Sequence, residues 1–219
     1  MRFSIPHHRM AALLLAVSAL VTSACGEVAR TGRSPGFLII ETLEGASGAT
    51  PSEFGSTVSS DVLTLVEVDV NGSKVKVPTI FGDVGRVTFR LGLKNPGTAA
   101  TPTAASSLNA VTVNRYRVAY KRADGRNTQG VDVPYAFDGA FTVTVPISGS
   151  AGAGFDLVRV AAKREPPLSN LRDTAASAGG AQFIGTIADI TFYGRDQAGN
   201  DVEVSGSISV SFADFGDPK

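Results

Sequence analysis

Apolar and polar residues alternate with a period of two through most of this chain, and a backbone can bury such a pattern only by running as strands. Val87, Phe89, Leu91 and Leu93 interleave with Thr88, Arg90, Gly92 and Lys94, which gives an extended segment one dry and one wet face. Phe141, Val143 and Val145 alternate with Thr142 and Thr144. Val111 and Val113 share one parity while Tyr116, Val118 and Tyr120 take the other, so the run must change its buried face or carry a bulge near Asn114. Asn71-Gly72 joins residues 62–70 to Val75 and Val77, and that dipeptide supplies the positive φ angles of a two-residue hairpin turn. The last hairpin sets Ala188, Ile190 and Phe192 on one strand against Val202, Val204, Ile208, Val210 and Phe212 on the next, around a turn at residues 196–201.

Between these runs lie Gly, Pro, Ser and Thr segments. Residues 44–60 and 94–107 carry no packing signal and are expected as loops, and residues 122–130 form a polar connection. Further strands are expected at residues 37–41 and 155–162. Leu168 and Leu171 stand three apart behind Pro166 and Pro167, with Gly179-Gly180 beyond, which predicts one short helix within residues 166–177. Eight to ten short strands separated by turns give an all-β antiparallel sandwich or barrel. The segment Tyr193-Gly194-Arg195-Asp196-Gln197-Ala198-Gly199-Asn200 resembles the final turn of bacterial immunoglobulin-like and fibronectin-III-like domains, where Asp-x-Ala-Gly-Asn recurs. The resemblance implies an immunoglobulin-like β-sandwich with long loops and one short helix.

The first residues have a different character. Arg2 and Arg9 precede an apolar run over residues 11–21 and then small residues up to Cys25, which is the layout of a secretory signal peptide and is too short for a spanning helix. Leu20-Val21-Thr22-Ser23-Ala24-Cys25-Gly26 resembles the lipobox of bacterial lipoproteins, with Thr22 where that family prefers Leu. The resemblance implies cleavage before Cys25, lipidation of Cys25, and anchorage in the cell envelope, at the outer membrane. Cleavage after Ala24 by ordinary signal peptidase would instead leave Cys25 a plain thiol. The expected organisation is a signal peptide at 1–24, a lipidated N-terminus and tether at 25–35, and a β-sandwich domain at 36–219.

Removing the leader takes away both histidines, His7 and His8, and both methionines, and leaves Cys25 as the single cysteine of a chain without tryptophan. A Ser-His-Asp triad, a Cys-His dyad, a His or Cys zinc site, a His-ligated haem and an internal disulfide are therefore outside the expected chemistry of the mature chain. No cofactor is expected. The leader also carries two of the 20 basic residues and none of the 20 acidic ones, so the remainder is slightly acidic and offers no field for nucleic acid.

A few clusters bear chemistry. Arg122, Asp124, Arg126 and Asn127, with Asp132 beyond, gather charge in one connection, and converging Arg and Asp can hold a carboxylate or sugar hydroxyls. Asp196, Asn200 and Asp201 set three oxygen-bearing side chains on one turn, which ordinary Asx-turn chemistry explains without a cation. Gly152 and Gly154 lack the following helix of a phosphate cradle and are expected in a loop. Arg115, Tyr116, Arg117 and Tyr120 interleave base and aromatic, but on opposite strand faces they make no common stacking platform, so the tyrosines are expected inside and the arginines outside. The reading that follows is a non-enzymatic envelope lipoprotein that binds another envelope protein or a glycan. A carboxylate-dependent glycan-active hydrolase is the alternative, and a subunit of a surface assembly a third.

Overall fold

A computed structural model describes residues 33–172 and 183–215. The leader, Cys25 and most of the expected tether lie outside the described residues. Ten strands are formed among the described residues: β1 (Gly36–Ala46), β2 (Thr57–Asp61), β3 (Thr64–Val70), β4 (Ser73–Thr79), β5 (Asp83–Leu93), β6 (Val111–Lys121), β7 (Phe137–Val145), β8 (Ser150–Val158), β9 (Ile184–Asp196) and β10 (Asp201–Ala213). One sheet has the order β1-β5-β8, a second β2-β10-β9-β6-β7, and β3 pairs with β4 alone. The fold is all-β and sandwich-like, antiparallel throughout except that β2 runs parallel to β10.

The core is what the alternation requires. Val87 and Phe89 of β5 and Phe155 and Leu157 of β8 face Val111, Val113, Phe141, Ile190, Phe192, Ile208 and Val210 of the larger sheet, all in one buried cluster. The Phe89 ring meets Phe192 edge-on at 5.0 Å between centroids, and Phe155 meets Phe192 at 5.4 Å, the geometry aromatic quadrupoles prefer. Tyr116 and Tyr120 are buried and Arg115 and Arg117 exposed, as their parity predicts.

The register of β6 shifts between Val113 and Arg115 against both of its neighbours, so the change of parity is a bulge at Asn114. Asn71 and Gly72 take φ of 54° and 81° in the β3–β4 turn, as the Asn-Gly signal requires.

Four expectations are corrected. Residues 44–60 are not all loop, because Gly45 and Ala46 end β1 and residues 57–61 form β2. This strand has only one apolar residue, Val58, and buries Ser60 and Asp61 through hydrogen bonds, so no alternation announced it. The strand expected at 155–162 begins earlier and ends at Val158, after which Val160–Arg164 is a helix, α1. Gly152 and Gly154 therefore lie within β8 rather than in a loop. A side chain on Gly152 would meet the Val87 carbonyl at 2.4 Å, so close approach of β5 explains the glycine there. The helix expected after the prolines is one 3-10 turn at Leu168–Leu171, with the α-helical turn of the region upstream of them; residues 173–177 lie outside the described residues.

A buried ion pair joins these unforeseen pieces. The Lys163 ammonium on α1 donates to Asp83 Oδ1 and to the Asp61 carbonyl, each at 2.8 Å. Asp83 also accepts from the Ser60 hydroxyl at 2.5 Å and the Gly48 amide at 2.9 Å. Every partner that a desolvated charge pair needs is thus supplied by β2, β5, α1 and the loop after β1.

Candidate functional site

The charged connection after β6 closes on itself. The Arg122 amide donates to Asn127 Oδ1 at 2.6 Å, and Asp124 accepts from Arg122 at 2.7 Å and from Arg126 at 2.8 Å. Hydrogen bonds from the two guanidiniums hold the Asp124 carboxyl below the usual carboxylate range. Asp132 accepts from the Thr128 amide at 3.1 Å. Arg122 and Arg126 also border a shallow, open concavity with Pro167, Asn170 and Phe183, whereas Asp124 and Asn127 are spent on the loop.

The 196–201 turn is likewise consumed by its own backbone. Asp196 Oδ1 accepts from the amides of Ala198 at 3.0 Å and Asn200 at 2.9 Å, while Oδ2 accepts from the Asn200 side chain at 2.9 Å. Burial pulls the Asp196 carboxyl up, but the hydrogen bonds from Asn200, Ser34 and Ala198 outweigh it and leave the group below its ordinary value. Ser34, which the sequence placed in the tether, is accordingly buried against the sandwich. Asp201 pairs with Arg195 at 2.7 Å.

A larger cleft, of about 930 Å³, opens where the start of β1 and the residue just after β5 meet β6, β9 and β10. Four cations line it, Arg33, Lys94, Arg115 and Arg195, against two acids, Asp201 and Glu203; Phe37 and Tyr193 contribute rings. The bulge builds its floor. Because Asn114 has no partner in either ladder, Asn114 and Arg115 face solvent in succession instead of alternating, which is how a bulge re-aims a side chain. Opposite it, a side chain on Gly194 would lie 2.5 Å from the Thr112 carbonyl and 2.9 Å from Val113 Cα, so only glycine admits the crowded backbone there.

Register pairs Arg115 with Tyr193, and the guanidinium lies 3.9 Å above the tyrosine ring while also reaching Asp138 at 2.6 Å. A basic and aromatic platform is therefore present, but across two strands rather than within β6. The sequence carried its two halves 78 positions apart, and the bulge parity was the one local signal for it.

Arg115 and Arg195 are paired with Asp138 and Asp201, and with Arg33 and Lys94 they leave the cleft an excess of cations beside two rings, an arrangement suited to holding anionic groups that share those guanidiniums. Asp201 and Glu203 stand two apart on one strand face, about 7 Å along it. Both face solvent, and Asp201 is engaged by Arg195 at 2.7 Å. Burial does push one carboxyl up, that of Asp61, against hydrogen bonds from Thr64, Phe215 and Leu63, but Asp61 does not line the cleft. Among the described residues, no group of three or more His, Cys, Asp or Glu is placed to hold a metal ion, and no helix is long and apolar enough to cross a membrane.

Fold and site together define an all-β sandwich-like protein with a cationic, aromatic-lined surface cleft. Comparison with protein-family models, with curated proteins and with solved structures finds no match for the chain.

Proposed function

We infer that this chain is a non-enzymatic binding module of the bacterial cell envelope, exported and held by lipid on Cys25 at the outer membrane, and that its cleft takes an acidic glycan. The observation that carries the reading is the Arg115 guanidinium stacked on Tyr193 beside Arg33, Lys94 and Arg195. Sugar rings present flat C–H faces to aromatic side chains, and guanidinium forks match carboxylates in a bidentate way. An open cleft bordered by strands suits a chain passing through it better than an enclosed small molecule.

Isothermal titration with a uronic-acid oligosaccharide and with its neutral counterpart tests this directly. Binding of the acidic oligosaccharide alone is expected, weakening as salt rises because the exposed charges are screened beyond about 10 Å at 0.1 M. Arg115→Ala and Tyr193→Ala should each weaken it, while Arg126→Ala in the self-paired loop should not. Equal heats from the two sugars would remove the electrostatic argument. Release of new reducing ends would replace the binding module with the carboxylate-dependent hydrolase.

A further inference from the structure

Lys163 and Asp83 form a charged pair cut off from solvent, with side chains 1 % and 0 % exposed. Burying opposite charges gains little over apolar packing, because desolvation consumes most of their attraction. Yet four separate segments converge on this pair. β5 supplies Asp83, α1 supplies Lys163, β2 supplies the Ser60 hydroxyl and the Asp61 carbonyl, and the loop after β1 supplies the Gly48 amide.

A primary amine and a carboxyl group held together need only lose water to become an amide, and the hydrogen bonds are distributed as that reaction requires. Nζ of Lys163 lies 2.8 Å from Oδ1 of Asp83, and a further N–H is held by the Asp61 carbonyl at 2.8 Å. Gly48 donates its amide to Oδ1 at 2.9 Å, whereas Ser60 donates its hydroxyl to Oδ2 at 2.5 Å. The two carboxyl oxygens are therefore not equivalent. Oδ1 faces the amine, and Oδ2 faces a hydroxyl placed to stabilise charge that develops on it.

We propose that Lys163 and Asp83 condense into an intramolecular amide bond. One proton passes from Nζ to Oδ1 and leaves a neutral amine and a neutral carboxyl group, which an apolar site penalises less than separate charges. The amine lone pair attacks Cγ, the Nζ–Cγ bond forms, and the carbonyl π pair moves onto Oδ2 beside the Ser60 hydroxyl. A second proton passes from Nζ to Oδ1. The pair on Oδ2 then re-forms the carbonyl, the Cγ–Oδ1 bond breaks with its electrons going to oxygen, and Oδ1 leaves as water. Nζ has given up two of its three protons and keeps the one held by the Asp61 carbonyl; nothing is oxidised or reduced, and no co-reactant enters. The product retains Ser60 as donor to its carbonyl and Asp61 as acceptor of its N–H. Fixed proximity supplies the rate, and burial of both side chains opposes hydrolysis of the bond once made.

The test is a tryptic digest of the purified full chain after denaturation, read by mass spectrometry. Trypsin cuts behind free lysine and arginine, so an unlinked chain releases residues 77–86, which carry Asp83, and residues 160–163, which end at Lys163, as separate peptides. The linked chain should instead release one branched peptide that joins residues 77–86 to residues 160–164, because an amidated Lys163 is not cut. Its mass should equal the sum of the two parts less one water. Lys163→Arg keeps a cation opposite Asp83 but no amine that can attack, and it should give no branched peptide. On a denaturing gel it should also run more slowly than wild type, in which a link between residues 80 positions apart keeps the unfolded chain compact. Separate peptides from a wild-type chain that unfolds cooperatively in urea would overturn the proposal and leave the pair ionic, whether or not Lys163→Arg folds. A branched peptide that joins Lys163 to a carboxyl group other than Asp83 would overturn it as well.

Discussion

Asp196 organises the last hairpin by giving both carboxylate oxygens to the turn that follows it. Asp196→Ala should lower stability at neutral pH by about 1 to 3 kcal/mol, the cost of leaving such donors unmet. Because the folded carboxyl titrates below its unfolded value, its contribution is present above about pH 3.8 and is lost as the pH falls through the folded value. The gap in urea midpoint between wild type and Asp196→Ala should accordingly narrow on acidification, and a gap that stays constant would assign the loss to packing alone. Lys163 makes a second residue-scale case. Lys163→Met takes the ammonium away from Asp83, which is buried and keeps only the Ser60 hydroxyl and the Gly48 amide as donors, and removing one partner of a buried pair costs about 3 to 5 kcal/mol. A urea midpoint unchanged from wild type would show that the ion pair does not hold these elements together.

At the scale of elements, β10 gives the cleanest measurement. Ile208 is buried between the sheets, whereas Ser209 beside it is exposed. Ile208→Ala should cost about 2 to 5 kcal/mol and Ser209→Ala no more than about 0.5 kcal/mol, and similar urea midpoints for the two would contradict the placement of the strand. Ser207 is a poorer control, because its hydroxyl donates to Asp189 at 2.7 Å. This strand, β5, β7 and the β3–β4 hairpin were legible in the sequence because each has one wet and one dry face and the turns carry Gly or Asn. The bulge in β6 was legible for the same reason, as a break in parity at Asn114. β2 was not, since the positions it buries after Val58 are Ser60 and Asp61, whose satisfaction by Asp83 and Thr64 is long-range or polar and leaves no hydrophobic period. Nor was α1, a helix of five residues whose buried side chain is a lysine. For the cleft, the sequence offered Arg115 but withheld Tyr193, because cross-strand neighbours are fixed by register and not by spacing along the chain.

For the whole molecule, anchorage and folding order are the consequences that matter. The envelope reading rests on Cys25, and a lipidated cysteine would bury tens of methylenes at about 0.8 kcal/mol each. Cys25→Ala is therefore expected to move the protein from the membrane pellet to the soluble fraction of fractionated cells; retention in the pellet after a carbonate wash would show that lipid is not the tie. The sandwich itself is closed by β10, which lies between β9 and β2, with Ser209 opposite Thr57 and Val210 opposite Val58. A strand so late in the chain, wedged beside one so early, makes assembly of the larger sheet a high-contact-order event, slow compared with local hairpin closure. Until residues 201–213 emerge from the ribosome, β2 has no ladder to join and one edge of β9 lacks its neighbour. In that interval the valines and phenylalanines of the unfinished sheet have incomplete cover and its strand edges are open, the condition under which a folding chain is prone to aggregate, so the order in which its strands are made sets how long that exposure lasts.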